Sequence, residues 1–373
     1  MSEHHHLYPS QVDFADGQPQ EGSPRTVHRQ RPTRVFRRKV FNDRMEFPDG
    51  AEHEVWAFED DSSGHRFPSP LIRVVEGDVV HVAVKPSMSH HTIHWHGIEP
   101  DPRNDGVGHT SFEVSGEYTY QWVPERGAIG DPNVGSAGTY FYHCHVNTPL
   151  HVQMGMFGAL IVDPAPDLSR PTRPGARRAF TDGPEYDVAT ETLVLAYAVD
   201  PRWHDLGHAA GLSGEDVGLN RFEPEHFYLL GGQVASPARG DGVSALTGIT
   251  ARVTDGRTAG APLPTLLRIV HGGYHPTVLR FYDQNGRPAA IGEVISHDGR
   301  PYRDTLSPTG PSAPLRDLGR PIMTSTLTFG AAEKYDLLLV PATAGRYLLS
   351  MEWVHWVTGS VMGRRTVPII VNA

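Results

Sequence analysis

The chain has 373 residues, with 33 Lys and Arg against 43 Asp and Glu, a formal net charge of −10, 22 His and one Cys. That length is enough for two domains, or one large one, with a full core. A single Cys excludes an internal disulfide and the multi-Cys zinc and iron–sulfur frameworks, and the acidic balance argues against charge-driven binding to nucleic-acid phosphate.

In chain order, the first 40 residues are polar, with Arg34, Arg37, Arg38 and Lys39 near their end. They lack the apolar stretch of a secretory signal, so the chain as written reads as cytoplasmic; removal of a leader would make it periplasmic or secreted. His4, His5 and His6 read as a solvated tail. No run of about 18 apolar residues is present to span a membrane. Short β-rich runs between Gly and Pro then dominate: Leu71–Val75, Val79–Val84, Glu117–Val123, Thr139–His143, Ala159–Val162, Thr192–Ala198, Leu266–Val270, Tyr335–Val340 and Arg346–Glu352. Their spacing predicts an all-β protein of sandwiches or small barrels. Pro164, Pro166, Pro171 and Pro174 mark a linker. The expected division is a tail over 1–34, a first domain over 35–165, a linker over 166–188 and a second domain over 189–373. Gly138-Thr-Tyr and Gly345-Arg-Tyr open similar strands, each followed by a Met–Gly segment, which suggests two copies of one β-domain.

Eight of the 22 histidines fall between His90 and His151. Successive side chains of a strand alternate faces. If residues 139–145 form a strand, Cys144 sits mid-strand and points to one face while His143 and His145 point to the other. In His91-Thr-Ile-His94-Trp-His96, His94 and His96 share a face and His91 has the opposite parity. Two sites follow, one holding Cys144 with His91, the other gathering His94, His96, His143 and His145. His151 and Met156, on an expected loop, add an imidazole and a thioether. A Cys thiolate, two His and a weak axial Met make the trigonal set that favours copper in electron transfer; an all-imidazole site suits copper, iron, nickel or zinc. The competing readings are a buried structural cysteine and a Cys–His nucleophile.

His94-Trp-His96-Gly97 together with His143-Cys144-His145 resembles the multicopper oxidases. The span His91–His96 with Cys144, His151 and Met156 resembles the first domain of two-domain copper oxidases and copper nitrite reductases. The resemblance implies two cupredoxin-like Greek-key β-sandwich domains. It also implies type 1 copper at His91, Cys144, His151 and Met156, with His94, His96, His143 and His145 as the first-domain half of an interdomain copper centre of type 2/type 3 character. Asp105 resembles the acidic residue near the oxygen site of some members, where it relays protons; a turn-forming Asp-Gly is the plain alternative.

The second half departs from the family pattern. Val278 and Arg280 stand where the family has cluster histidines, and Ser350, Met351 and Glu352 stand where it has His-Cys-His. His275, Met351, His355 and Met362 look like remnants of a second blue site, though packing alone would explain each. The expectation is a copper oxidoreductase of multicopper oxidase type that takes single electrons from a small-molecule or metal-ion reductant and delivers them to dioxygen. Its expected assembly is a homotrimer, with no nucleic-acid or membrane partner. A copper nitrite reductase and a non-enzymatic type 1 copper electron carrier are the alternatives.

Overall fold

The computed structural model describes residues 30–60, 64–86, 90–107, 113–131, 135–206, 221–236, 240–304 and 312–373; His4, His5 and His6 lie outside the described residues. The β-rich runs fold as strands. Val80–Lys85 buries Val80, Val82 and Val84 while the intervening residues are half-buried or exposed, the period of two that makes a one-faced strand. It lies in a four-stranded sheet with Glu52–Glu59, Arg34–Glu46 and Tyr118–Trp122, in the order Glu52–Glu59, Arg34–Glu46, Val80–Lys85, Tyr118–Trp122. The facing sheet runs Ser69–Val75, Phe157–Asp163, Gly138–His143, His94–His96. Val82, Tyr120 and Trp122 from the first sheet and Ile72, Tyr142 and Leu160 from the second belong to one core cluster.

A second sandwich repeats this plan. One of its sheets contains His226–Gln233, Thr192–Val199, Thr265–His271, Lys334–Leu339 and Gly292–His297 as successive neighbours. The other runs Ile249–Arg252, Val361–Asn372, Gly345–Val354, Thr277–Tyr282, Thr326–Phe329. The Gly345 strand therefore sits between its successor and Thr277–Tyr282, as the Gly138 strand sits between its successor and His94–His96. Both sandwiches mix parallel and antiparallel pairs in matching positions.

Residues 166–188 are more than a tether. Ala176–Arg178 pairs with Glu185–Asp187, and Phe180 and Tyr186 are buried. The basic run at Arg34–Lys39 is likewise part of the strand Arg34–Glu46, with Arg38 buried and bonded to the Tyr142 hydroxyl at 3.3 Å and the Pro70 carbonyl at 3.2 Å.

The two sandwiches meet across the outer face of Gly138–His143, where Phe141 and Phe157 share a cluster with Leu195, Tyr197 and Val270. Beside it runs a buried ion network. Arg268 is fully buried and donates to Glu191 at 2.5 Å and to the Thr139 hydroxyl at 3.0 Å, and Arg73 donates to Glu191 at 2.8 Å. Glu191 thus joins an arginine of each sandwich. Burial alone would raise its carboxyl pKa, but the charges of Arg268 and Arg73 outweigh that and hold it at about 2. A depressed pKa stabilises the fold above the ordinary value of 4.5, and the contribution is lost as pH falls from there toward 2. Glu191→Gln leaves two arginines short of a counter-charge and is expected to cost about 3–5 kcal/mol in urea unfolding at pH 7. It should also flatten the pH dependence of stability between about pH 4.5 and pH 2; an unchanged urea midpoint would remove the network as a structural tie.

Candidate metal centre

Gly138–His143 carries the parity on which both donor sets rest. Tyr140 and Tyr142 join the inner core, as does Cys144, while Phe141 lies in the cluster shared with the second sandwich. Cys144 is not mid-strand. The strand ends at His143, and Cys144 follows at the rim of the core with 0% exposure. Its N–H donates to the Met156 carbonyl at 3.0 Å.

Three expected ligands converge there. The Cys144 Sγ lies 3.1 Å from His151 Nδ1 and 3.6 Å from His91 Nδ1, and all three side chains are buried. His91 is held by paired backbone hydrogen bonds with Val114. The next residue, Thr92, accepts from the His145 N–H through its hydroxyl at 3.0 Å. His151 lies on a short helix, Thr148–Met154, where a loop was expected. Pro149 starts this helix and Gly155 ends it in the left-handed region at φ 113°. A Cβ on Gly155 would meet the Phe67 ring at 2.9 Å and the Trp56 carbonyl at 3.0 Å, so glycine is needed for the chain to turn back to Met156. Met156 is fully buried.

On the opposite face, His94 stands directly across from His143 in the antiparallel pair. Ligand atoms of His94, His96 and His143 lie within 4.8 Å of one another, and His96 Nδ1 is 3.3 Å from His143 Nε2. Metal–nitrogen bonds of about 2 Å leave two ligand atoms roughly 3 Å apart. His145 joins at the edge, its ring 5.4 Å from that of His94 and 5.8 Å from that of His143. The tautomers are fixed by acceptors. His143 Nδ1–H donates to the Cys144 carbonyl at 2.9 Å, and His94 Nδ1–H faces the Asp105 carbonyl at 2.9 Å and its carboxylate at 3.2 Å. Each Nε2 is therefore left with its lone pair, the outer-sphere arrangement that orients metal-ligating imidazoles. Asp105 ends the helix Pro102–Asp105, and Gly106 follows at φ 75°. A Cβ there would fall 1.9 Å from the Ile93 carbonyl, so glycine lets Asp105 approach His94.

Burial pushes the imidazole pKa of His151 down to about 4 and that of His143 well below its usual value. Burial, then the nearby Lys334 charge, takes His96 to about 4. These rings are neutral at pH 7, the form that binds metal. Lys334 was not foreseen. It comes from the second sandwich, pairs with Asp298 at 2.8 Å and lies over the Phe141 ring, which stacks on His96. A lysine so distant in sequence gives no local signal.

The second-half positions are not histidines and do not gather as ligands. Val278 pairs with Glu352 and Arg280 with Ser350. Glu352 is bound by Arg280 at 3.4 Å and by Arg364.

Residues 39–167 match the multicopper oxidase family model. The chain is 38% identical over 100 residues to copper resistance protein A of Pseudomonas syringae pv. tomato, covering 26% of this chain and 14% of that protein. It is 35% identical over 114 residues to L-ascorbate oxidase of Cucumis sativus, covering 28% and 17%. The match is thus a small part of each relative's length. The blue copper oxidase of Nitrosomonas europaea superposes with a TM-score of 0.59 at 23% identity, covering 91% of this chain and 86% of that one. The fold is accordingly all-β, with two cupredoxin-like sandwiches.

Copper, the metal of this family, fits the donors present. A buried thiol flanked by two buried imidazoles, with a buried thioether following the helix, is a soft set with few competing metals. Without metal, burial pushes the Cys144 thiol up to about 11. The metal-free thiol is expected to react with a disulfide reagent at pH 8 about a hundredfold or more slowly than in the urea-unfolded chain, because little thiolate forms and no path reaches it. Labelling of the folded protein at the unfolded rate would contradict this geometry.

Proposed function

We propose, from the premise that residues 39–167 are a multicopper oxidase domain, that the chain is a copper-dependent oxidoreductase. It takes single electrons from an organic or metal-ion reductant at a type 1 copper and delivers them to dioxygen at a histidine-bound copper centre. His91, Cys144, His151 and Met156 would hold the first copper, and His94, His96, His143 and His145 the second centre of one or two ions. Copper supplies one-electron redox chemistry at both positions.

The chain's own residues do the rest. The core around Cys144, with the Trp56 ring against His151, excludes water from the thiolate. His143 and His145, bonded to Cys144 on either side, give the two donor sets a covalent path through one residue's backbone; this adjacency, with the sets on opposite faces, is the observation that carries the reading. Asp105 orients His94 and, being partly exposed, can pass a proton between solvent and that ring's surroundings. The two sandwiches serve as domains over 35–165 and 189–373, joined by 166–188. Because the ion-paired Glu352 and Arg280 leave the four-imidazole edge without second-domain ligands, we infer a homotrimer in which a neighbouring subunit closes that edge.

The reading is tested on copper-loaded protein by oxygen uptake, metal stoichiometry and electron paramagnetic resonance. Two or more coppers per chain and oxygen consumption with a reductant are expected. Cys144→Ser should abolish the visible thiolate-to-copper band, and an unchanged spectrum would overturn the type 1 ligands. Asp105→Asn should leave that band intact and lower oxygen uptake about 10–100-fold. One copper per chain without oxygen uptake would make the protein an electron carrier, and nitric oxide released from nitrite would make it a nitrite reductase.

A further inference from the structure

Gln153 is 1% exposed, and its side-chain Oε1 is buried without a hydrogen-bond partner. An orphaned buried acceptor is unfavourable, and Met or Leu would fill the same space without one. The amide nitrogen accounts for the choice. Gln153 Nε2 donates to the Ala198 carbonyl at 3.2 Å and to His204 Nε2 at 3.0 Å, both in the second half of the chain. His204 is buried as well, and its Nδ1–H donates to the Glu54 carbonyl. Burial lowers its pKa, so the ring is neutral at pH 7 and Nε2 keeps a lone pair for Gln153.

These bonds converge on His151 from two sides. Gln153 belongs to the helix Thr148–Met154, which carries His151. Glu54 belongs to the strand Glu52–Glu59, whose Trp56 ring lies 5.6 Å from the His151 ring. Trp56 Nε1–H donates to the Glu54 carboxylate at 2.8 Å, which ties that ring to the residue His204 holds. The helix backbone is gripped from the second half too. The Tyr197 hydroxyl donates to the Gln153 carbonyl, and the Tyr274 hydroxyl to the Pro149 carbonyl. The His151 carbonyl in turn accepts from the Met156 N–H at 2.9 Å, so a shift of the helix moves both residues.

We propose that His204, acting through Gln153, is a positioning residue for the Cys144 centre, by which the second half of the chain sets where His151 stands relative to the thiol. This role presupposes His91, Cys144, His151 and Met156 as the type 1 ligands. His204 bonds both elements that flank His151. Without that tie the imidazole would take whatever position the metal imposed. Hydrogen bonds one step beyond the ligands fix ligand orientation in this way, and the potential of such a site follows its ligands and their surroundings.

Copper-loaded full chains carrying His204→Phe, Gln153→Met or Glu191→Gln test it. His204→Phe and Gln153→Met are expected to move the thiolate-to-copper band and the reduction potential in the same direction. Each should also weaken copper binding about tenfold. The double variant should go no further than either single one, because the two side chains act through one bond. Glu191→Gln loosens the same junction away from the helix and should leave band and potential unchanged, which separates positioning from loss of stability. Gln153→Met nearly keeps the side chain's volume and carries the comparison if His204→Phe does not fold. The proposal is overturned, with the copper ligands intact, if both variants keep the original band and potential, if the double shift is the sum of the two, or if Glu191→Gln moves them as far. Absence of a thiolate band in the unsubstituted protein overturns the ligand assignment itself, and this role with it.

Discussion

A strand directs alternate side chains to opposite faces, and the donor groups of this molecule depend on that constraint at one strand end. Past Gly138–His143 the chain sends the Cys144 thiol into the core of the first sandwich and the His143 imidazole toward the second. The thiol gains a dry pocket and two imidazoles, which selects for a soft metal. The outer face gains imidazoles whose tautomers are set by a backbone carbonyl and by Asp105. Neither set requires a long loop, and both are held by hydrogen bonds to neighbouring strands.

The second sandwich braces this arrangement. Phe141 packs in the junction, Lys334 sits over its ring, and the ring stacks with His96. Thr139, on the same outward face, is tied to Arg268 and Asp336. The strand that separates the donor sets is thus clamped from outside by charges belonging to the other half of the chain. The second half contributes position and field at the four-imidazole edge even where it contributes no ligand.

Much of the site was legible because it is local. The spacings His91–His94–His96 and His143–Cys144–His145 assign faces by parity, and the structure brings His91 to Cys144 and His94 and His96 to His143, with His145 at the edge. The β-rich runs were legible for the same reason, their period of two being written residue by residue. What escaped was set by tertiary contact. Thr148–Met154 is too short for a helical period to declare itself, and only Pro149 and Gly155 hinted at it. The place of Arg38 inside a strand was not written locally either, because the partners that bury it, Pro70 and Tyr142, lie far along the chain. Register was also invisible. His275, Met351, His355 and Met362 were grouped by likeness to the first half, yet the pairing of Thr277 with Trp353 sets His355 opposite His275 and leaves Met351 deeper in the core.

The alternation around Cys144 also limits how this stretch can evolve. A substitution at Tyr140 or Tyr142 alters packing on one face and leaves every neighbour's direction unchanged. A one-residue insertion or deletion between Gly138 and Cys144 would instead invert the face of each side chain on one side of it, exposing the thiol and driving an imidazole into the core. Natural variation here should therefore be rich in replacements and nearly empty of length changes, with gaps displaced to the loop before Gly138.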